Sequence, residues 1–303
     1  MTLTELRYVV ALARHRHFGR AAKACFVSQP TLSVGIRKIE QELGVVLFER
    51  NAADVTVTPQ GQAIVDQALK VLEEADTLKR MAEGAQDPLA GPLRLGAIYT
   101  IGPYLFPDLI PELKKAAPEM PLILSEGFTA DLAQKLRHGE IDAAILALPF
   151  ERPGLLTLPL YDEPFVVLLP SGHPLGEREK IQSRWLRDEN LLLLSDGHCF
   201  RDQVIETCPE CLDAESATTE GSSLETIRHM VASGLGVTVL PCTAAGADRF
   251  TRRMLTVRRF ANRDAKRTVA VAFRASFPRF PAIEALRKAV WRCKLSCVTM
   301  RES

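Results

Sequence analysis

The sequence predicts a mixed α/β protein with a helical domain at its N-terminus, and two observations support this fold class. Residues 1–58 read as short helices joined by tight turns, whereas apolar strand-like segments and amphipathic helices alternate from Leu93 onward. The stretch EGAQDPLAGP, rich in glycine and proline, lies between the two patterns and indicates a linker. We therefore expect a domain at 1–58, a helix and hinge at 59–92, and a larger domain at 93–303.

Three helices and a pair of short strands are predicted in the N-terminal domain. Apolar residues recur at helical spacing within 3–13 and again within 18–24. A third helix is expected after Ser28, a favourable N-cap, with Pro30 in its first turn and Gly44 at its end. The segment VVLFERNAADVTVT, which follows, reads as two strands joined by a turn.

The connecting helix is predicted to begin at Thr58 and Pro59, a cap followed by a proline at the first helical position. Its apolar residues are spaced by four and three in alternation, which is a heptad pattern. This pattern favours packing against a partner helix, and the alternative is a helix that lies on its own domain. The residues of this heptad seam are Ile64, Ala68, Val71, Ala75, Leu78 and Ala82.

Apolar strands alternate with helices through the larger domain, from LRLGAIY near its start to TVAVAFR near its end. This alternation is typical of a mostly parallel sheet with helical crossovers. The strands are too many for one small sheet, so we expect two lobes with a ligand cleft between them. The first lobe is expected at about 93–161 and 268–303, and the second at about 162–267.

Composition excludes several classes of protein. With 303 residues and a formal net charge of +1, the chain has no global excess of basic residues. The N-terminal segment lacks the pattern of a secretory signal, and no run of 18 apolar residues would span a membrane. We therefore expect a cytoplasmic protein without a membrane partner, in which the seven cysteines are reduced at rest.

The first 50 residues fit a helix-turn-helix, whose second motif helix enters the major groove of DNA. Residues 1–60 hold eight Lys or Arg and five Asp or Glu, so a local net charge of +3 accompanies the motif. Side chains on the exposed side of the third helix have the groups that read bases and hold phosphates. The alternative is a three-helix domain with an ordinary solvated face. The candidate DNA contacts on this helix are Gln29, Thr31, Ser33, Val34, Arg37 and Lys38.

Three of the seven cysteines cluster in SDGHCFRDQVIETCPEC, from Ser195 to Cys211. Cys199 follows a strand and a turn and lies at the start of a short helix, where the helix dipole and Arg201 favour a thiolate. If Cys199 and Cys208 share one helix, their Cα atoms are about 13 Å apart, beyond the ~7 Å that a disulfide allows. Bonding the two sulfurs then requires the segment between them to unwind.

Other interpretations of the cysteines stay open. The C-P-E-C segment has the spacing of redox or zinc motifs, and Cys208, Cys211, Cys293 and Cys297 would supply four ligands, the last two on a C-terminal helix. Without further support for those pairs, no metal site is predicted. Cys211 is alternatively an exchange partner of Cys208. A cysteine taken alone is otherwise buried and inert, as we expect of Cys25.

The stretch FGRAAKACFVSQPTLSVGIRKIEQELGVVLFERNAADVTVTPQG resembles the signature of LysR-type transcriptional regulators. The resemblance implies a winged helix-turn-helix, a linker helix and a two-lobed effector domain like a periplasmic binding protein. It also implies promoter DNA and RNA polymerase as partners, with a dimer formed through the linker helix and assembly into a tetramer. The wing NAADVTVT has no Lys or Arg, which leaves Arg50 as the candidate for phosphate contact. The implied DNA-binding residues are Ser28, Gln29, Pro30, Thr31, Ser33, Arg37, Lys38 and Arg50.

Within that family the chain is similar to the peroxide-sensing branch, through DGHCFRDQ, TIGPYLFP, SLETIRHMVA and RTVAVAFR. The resemblance implies hydrogen peroxide as the signal, Cys199 as the reactive thiol and Cys208 as its resolving partner, whose disulfide changes conformation and promoter binding. No cofactor, no metal and no enzymatic turnover are implied. Two alternatives stay open: a regulator of the same family that responds to a small-metabolite inducer, and a thiol peroxidase. The implied peroxide pocket comprises Thr100, Thr129, His198 and Arg267.

Overall fold

Three short helices and a two-stranded hairpin form the N-terminal domain of the computed structural model, which describes residues 1–50, 55–82, 87–209, 219–246, 253–262, 264–295 and 297–301. The elements are α1 Leu3–His15, α2 Phe18–Ala24, α3 Gln29–Leu43, β1 Phe48–Arg50 and β2 Val55–Val57. The Ser28 hydroxyl caps α3 by accepting a hydrogen bond from the Thr31 N–H, and Gly44 ends α3 at a φ of 67°. Both predicted helix boundaries are therefore confirmed. Leu12, Leu32 and Ile36 are fully buried where the three helices meet.

The connecting helix, α4, runs over Pro59–Ala82 and is capped by Thr58, whose hydroxyl accepts the Gly61 N–H at 2.8 Å. The residues of the heptad seam differ in burial from the start of α4 to its end. Ala68 is buried in the core of the N-terminal domain, whereas Val71 and Leu78 are 37% and 71% exposed. The first turns of α4 thus lie on their own domain, and the later turns present apolar side chains outward. Within the described ranges, no helix has both the length and the apolar character that crossing a bilayer requires.

A parallel three-stranded sheet begins the larger domain, with β3 between β4 and β5. Its helices α5 and α6 are the crossovers, and their apolar faces pack on the sheet to form the core of the first lobe. The elements are β3 Leu93–Ile98, α5 Gly102–Ala116, β4 Leu122–Gly127, α6 Thr129–Arg137 and β5 Ala143–Ala147.

The remaining elements build the second lobe and return the chain to the first. A separate core fills the second lobe, and the C-terminal helix packs on the core of the first lobe. In chain order the elements are β6 Leu155–Pro170, β7 Lys180–Ile181, β8 Leu193–Leu194, α7 Cys199–Thr207, β9 Glu220–Gly221, α8 Leu224–Ala232, β10 Thr238–Pro241, α9 Cys242–Ala245, β11 Leu255–Phe260, β12 Lys266–Arg274, α10 Phe280–Arg292 and β13 Thr299–Met300. Two 3-10 helices, Pro174–Glu177 and Ser183–Leu186, lie on the second lobe.

Strand β6 is long enough to belong to both lobes. From Leu155 to Pro164 it pairs with β12, and from Phe165 onward it pairs with β10 and β11. The change of partners therefore occurs beside Glu163. Strand β13 also pairs with β6, at Tyr161 and Asp162, so the C-terminal segment lies against this same crossing point.

The alternation of strands and helices predicted a mostly parallel sheet, but antiparallel strand pairs are more frequent than that pattern led us to expect. Strand β6 is antiparallel to β10, β11, β12 and β13, and β12 is antiparallel to β5. The expectation of a mostly parallel sheet is therefore wrong for the described strands. The physical reason is that the chain leaves the first lobe on β6 and returns on β12, and two adjacent strands that run in opposite directions pair antiparallel.

Candidate functional site

Cys199 lies where the two lobes meet. It is the first residue of α7 and follows the N-cap His198, so its sulfur lies at the positive end of the helix dipole, as the sequence predicted. The half-buried Cys199 packs against the core of the first lobe, whereas Phe200 and Val204 of the same helix belong to the core of the second. A helix that is anchored in the core of the second lobe therefore places the thiol in the interface between the lobes.

His198 is buried and surrounded by aromatic rings. Its ring centroid lies 4.8 Å from that of Phe128 and 6.0 Å from that of Tyr99, both on the first lobe. Burial lowers the pKa of His198, and a hydrogen bond to the backbone of Ser222 opposes part of that shift. The neutral imidazole is thus favoured at pH 7, and the ring joins the lobes on one side of Cys199.

Arg267 also joins the lobes, and it lies beside Phe200, the residue that follows Cys199. Its fully buried guanidinium pairs with Glu163, through Nε at 2.8 Å and an Nη at 2.7 Å. The same group donates to the hydroxyl and the carbonyl oxygen of Thr100, both at 2.9 Å, and lies 5.3 Å from the Phe200 ring centroid. The hydrogen bonds of Arg267 therefore go to Glu163 and Thr100. Its connection to Cys199 is indirect, through its contact with Phe200, the next residue in the chain.

Two buried oxygens near this site have no hydrogen-bond partner among the described residues. They are Oγ1 of Thr129, at the start of α6, and Oε1 of Gln203, one helical turn after Cys199. Thr129 follows Phe128, whose ring contacts His198. Sequence reasoning missed Gln203, although its i, i+4 spacing from Cys199 in CFRDQ was a visible signal. Buried polar atoms rarely stay unsatisfied, so these oxygens fit a small polar ligand.

Cys208 lies at the other end of α7, in a different environment from Cys199. It is the C-cap residue, 1% exposed, and belongs to the core of the second lobe. Both sulfurs are thiols in this structure. Nine residues of helix place the two Cα atoms about 13 Å apart. The predicted short helix after Cys199 is confirmed, and it extends to Thr207, the residue before Cys208.

The other cysteines differ from expectation. Cys242 and Cys297 form a disulfide with a Cα–Cα distance of 6.1 Å, whereas reduced cysteines were predicted. Helix α10 ends at Arg292, so Cys293 and Cys297 do not lie on one helix, and the expectation that they do is wrong. The reason is that the chain turns after Arg292 to place β13 on β6. Cys211 lies outside the described residues.

The candidate DNA-contacting face of α3 is solvent-accessible. Ser28, Gln29, Pro30, Thr31 and Arg37 are exposed, with Ser33 half-buried. Lys38 is exposed as well, but its ammonium pairs with Glu5 at 2.8 Å, which fixes it against α1. The side chain of Arg50 and the wing residues 51–54 lie outside the described parts of the chain. The face thus offers mainly neutral polar groups and one unpaired guanidinium at Arg37 among the described candidates.

Two family models match the chain over both of its domains. The model described as a bacterial regulatory helix-turn-helix protein of the lysR family matches residues 3–62. The model of the LysR substrate binding domain matches residues 86–292, which includes α7 and the residues around Cys199. The chain therefore belongs to the LysR family of bacterial regulatory proteins.

Within that family the chain groups with the OxyR proteins. The DNA-binding transcriptional dual regulator OxyR of Escherichia coli K12 is 42% identical over 290 residues, covering 96% of this chain and 95% of the relative. A full-length OxyR variant from Pseudomonas aeruginosa superposes with a TM-score of 0.84 at 54% identity, covering 100% and 98% of the two chains. An H2O2-bound OxyR variant from Corynebacterium glutamicum superposes with a TM-score of 0.65 at 37% identity, covering 96% and 92%.

Proposed function

We propose that this chain is a promoter-binding transcriptional regulator that senses hydrogen peroxide through Cys199, with Cys208 as the second thiol. The observation that supports this most is the setting of Cys199 at the start of α7. The ring of its neighbour His198 packs against Phe128, which precedes Thr129. The ring of its other neighbour, Phe200, contacts the guanidinium of Arg267, which is hydrogen-bonded to Thr100. The polar groups around Cys199 thus include the hydroxyls of Thr100 and Thr129 and the side-chain amide of Gln203.

The first chemical step is oxidation of the Cys199 thiolate. The sulfur attacks one oxygen of H2O2, the O–O bond breaks, and the departing hydroxide takes a proton to become water, leaving a sulfenic acid. The Thr100 hydroxyl accepts a hydrogen bond from Arg267, so its own proton is free to be donated to the departing oxygen. Oγ1 of Thr129 and Oε1 of Gln203 would hold the peroxide O–H groups.

The second step joins Cys199 to Cys208. The Cys208 thiol attacks the sulfur of the sulfenic acid, an S–S bond forms and water leaves. Since α7 keeps the two Cα atoms about 13 Å apart and a disulfide allows about 7 Å, the helix must unwind first. Cys208 must also leave the core of the second lobe, so oxidation is coupled to a change of local fold.

Strand β12 offers a route from the sensor to the DNA-binding domain. It carries Arg267 near one end and Arg274 at the other. The guanidinium of Arg274 pairs with Glu73 of α4 at 2.7 Å, and Ser276 donates to the same carboxylate at 2.9 Å. Arg14 of α1 pairs with Glu140 at 2.9 Å. A shift of the first lobe therefore acts directly on the linker helix and the DNA-binding domain.

Relatives support the same function. The E. coli relative is named a DNA-binding transcriptional dual regulator, and the C. glutamicum structure is of an OxyR variant bound to H2O2. Promoter DNA and RNA polymerase are accordingly the proposed partners, and the cytoplasm is the proposed location. No observation on this chain favours a metabolite inducer or a thiol peroxidase.

The test is a DNase footprint of the full-length protein on a promoter fragment that it binds, before and after peroxide treatment. We expect the footprint of the wild-type protein to change, and that of Cys199→Ser to stay in its reduced form while DNA is still bound. Cys293→Ala is the matched control, because burial raises the pKa of that thiol to about 12. A peroxide-dependent change in Cys199→Ser would reject Cys199 as the sensor.

We propose further that the outer turns of α4 form the dimer contact, with assembly into a tetramer through the larger domains. The exposed Val71 and Leu78 continue the heptad seam beyond the part that packs on its own domain. Val71→Asp with Leu78→Asp would bury charge in that contact, so sedimentation should show dimers held by the larger domains in place of tetramers, with native circular dichroism. Lys70→Asp, on the same helix outside the seam, should keep the wild-type sedimentation. A double variant with wild-type sedimentation would exclude this contact.

A further inference from the structure

The Cys242–Cys297 disulfide connects the two lobes through the C-terminal segment. Cys242 begins α9 and packs against the core of the second lobe. Cys297 lies between α10 and β13, where its neighbours Leu295 and Val298 pack against the core of the first lobe. Both cysteines are half-buried, so their sulfurs are not sealed inside either core. The bond is therefore a covalent tether between lobes.

On the Cys242 side, the next residue reaches the candidate peroxide site. The Thr243 N–H donates to Oε1 of Glu163 at 3.1 Å, and the Thr243 hydroxyl donates to the same oxygen. The other carboxylate oxygen of Glu163 pairs with Arg267, which in turn holds Thr100. Since Glu163 and Arg267 have fully buried side chains, this chain of contacts is shielded from solvent.

On the Cys297 side, the C-terminal segment is fixed to the residue just before Glu163. Thr299 of β13 pairs with Asp162 of β6. Arg301 donates to both carboxylate oxygens of Asp162, at 2.8 and 3.0 Å. The two ends of the tether therefore act on adjacent residues, Asp162 and Glu163, at the point where β6 passes between the lobes.

We propose that Cys242 and Cys297 are a second redox-active pair, whose disulfide form fixes Thr100 for the reaction at Cys199. The part that concerns Cys199 rests on the proposed function. Disulfides in cytosolic proteins are usually transient and redox-sensing, and a half-exposed disulfide is open to exchange. Breaking the bond removes one restraint on α9, a helix of four residues, and so loosens the Thr243 contact that orders Glu163 and Arg267.

The exchange reaction takes a dithiol reductant. One thiolate of the reductant attacks a sulfur of the Cys242–Cys297 bond, which forms a mixed disulfide and releases the other cysteine as a thiolate. The second thiol of the reductant, as its thiolate, then attacks the reductant's own sulfur in the mixed disulfide. The remaining cysteine is released as a thiolate, and the reductant leaves with an intramolecular disulfide. Two electrons pass to the protein, and the released cysteines take up protons. A low-molecular-weight disulfide reverses both steps.

The first measurement follows the exchange itself. Full-length protein is incubated in graded mixtures of reduced and oxidised dithiothreitol, alkylated and mapped by peptide mass spectrometry. We expect Cys242 and Cys297 to become alkylated together and reversibly while circular dichroism stays native. A bond that resists dithiothreitol until the protein unfolds would mean a purely structural crosslink and would overturn the inference.

The second measurement is the rate of Cys199 oxidation by H2O2, followed by trapping of the sulfenic acid. Cys242→Ser with Cys297→Ser, and dithiothreitol-reduced wild type freed of reductant, should both react about fivefold more slowly than the disulfide form. This corresponds to roughly 1 kcal/mol, the contribution of one hydrogen bond at Thr100. Cys293→Ala, in the same segment, should keep the wild-type rate.

The outcomes separate the inference from the function on which it rests. Equal rates with and without the bond, or a faster reaction without it, would overturn the coupling to Cys199 while leaving the peroxide sensor intact. If Cys199 is not oxidised in any form, the proposed function fails and the coupling fails with it. The exchange of Cys242 and Cys297 would still be decided by the first measurement.

Discussion

The two cysteine pairs of this protein differ in how the fold treats distance along the chain. Cys199 and Cys208 are nine positions apart, yet α7 holds them at its opposite ends and in contact with different cores. Cys242 and Cys297 are 55 positions apart, yet they are bonded. A helix is a rigid spacer, whereas tertiary packing can bring distant segments within bonding range. The first pair therefore needs a conformational change to react, and the second needs none.

This difference suits the pairs to different roles. A bond that can form only after unwinding converts an oxidation into a change of shape, as a switch requires. A bond between segments that are already adjacent restrains the fold that exists. The buried Glu163–Arg267 ion pair connects the surroundings of the two cysteine pairs. Glu163 accepts a hydrogen bond from Thr243, the residue after Cys242, and Arg267 donates one to Thr100 of the candidate peroxide site.

Replacing Arg267 tests the role of the Glu163–Arg267 pair, and of the variants described below it should have the largest effect. Arg267→Met would leave the fully buried carboxylate of Glu163 without its cation, which should lower the free energy of unfolding by about 3–5 kcal/mol. Urea denaturation measures the change. Arg267→Met combined with Glu163→Leu should recover part of the loss, and Arg259→Met, at an exposed position of β11, should cost less than about 0.5 kcal/mol. A loss below about 1 kcal/mol for Arg267→Met alone would contradict the role assigned to the pair.

Acid titration tests the anchor of the Cys297 segment. Burial raises the pKa of Asp162, but hydrogen bonds from Arg301, Thr268 and Lys266 outweigh it and lower that pKa to about 2. A depressed pKa contributes stability that is present above the ordinary value of 3.8 and is lost as the pH falls toward 2. Asp162→Asn should therefore cost about 2 kcal/mol at pH 7 and roughly half of that at pH 3.

Urea denaturation at the two pH values gives this difference directly. Asp264→Asn, at an exposed position next to β12, is the control and should change the free energy of unfolding by less than about 0.5 kcal/mol at either pH. The same cost for Asp162→Asn at pH 7 and pH 3 would show that the carboxylate charge does not anchor the segment.

The smallest expected effect concerns the unwinding of α7. Asp202 is an exposed residue near the middle of this helix, where glycine is about 1 kcal/mol less favourable than alanine. After peroxide treatment, the Cys199–Cys208 bond should form about fivefold faster in Asp202→Gly than in Asp202→Ala, because opening of the helix precedes bonding. Timed alkylation and peptide mapping follow the reaction. Indistinguishable rates for the two variants would mean that unwinding is not part of the step that limits bond formation.

Local features of the sequence determined much of the secondary structure and the position of the reactive thiol. The cap at Ser28, the stop at Gly44 and the short helix that starts at Cys199 were all predicted and are all present. These features depend on side chains that interact with backbone a few residues away. Such short-range interactions are the same whatever the rest of the chain does.

Only the tertiary structure decided which side chains meet across the lobes. Arg267 finds Glu163 and Thr100, which are 104 and 167 positions away, and Lys38 finds Glu5 on another helix. The antiparallel pairing of β6 with β12 and the Cys242–Cys297 bond likewise depend on where the chain crosses between lobes. Contacts of this kind arise from the packing of whole elements, and no periodicity or spacing along the sequence encodes the identity of a distant partner.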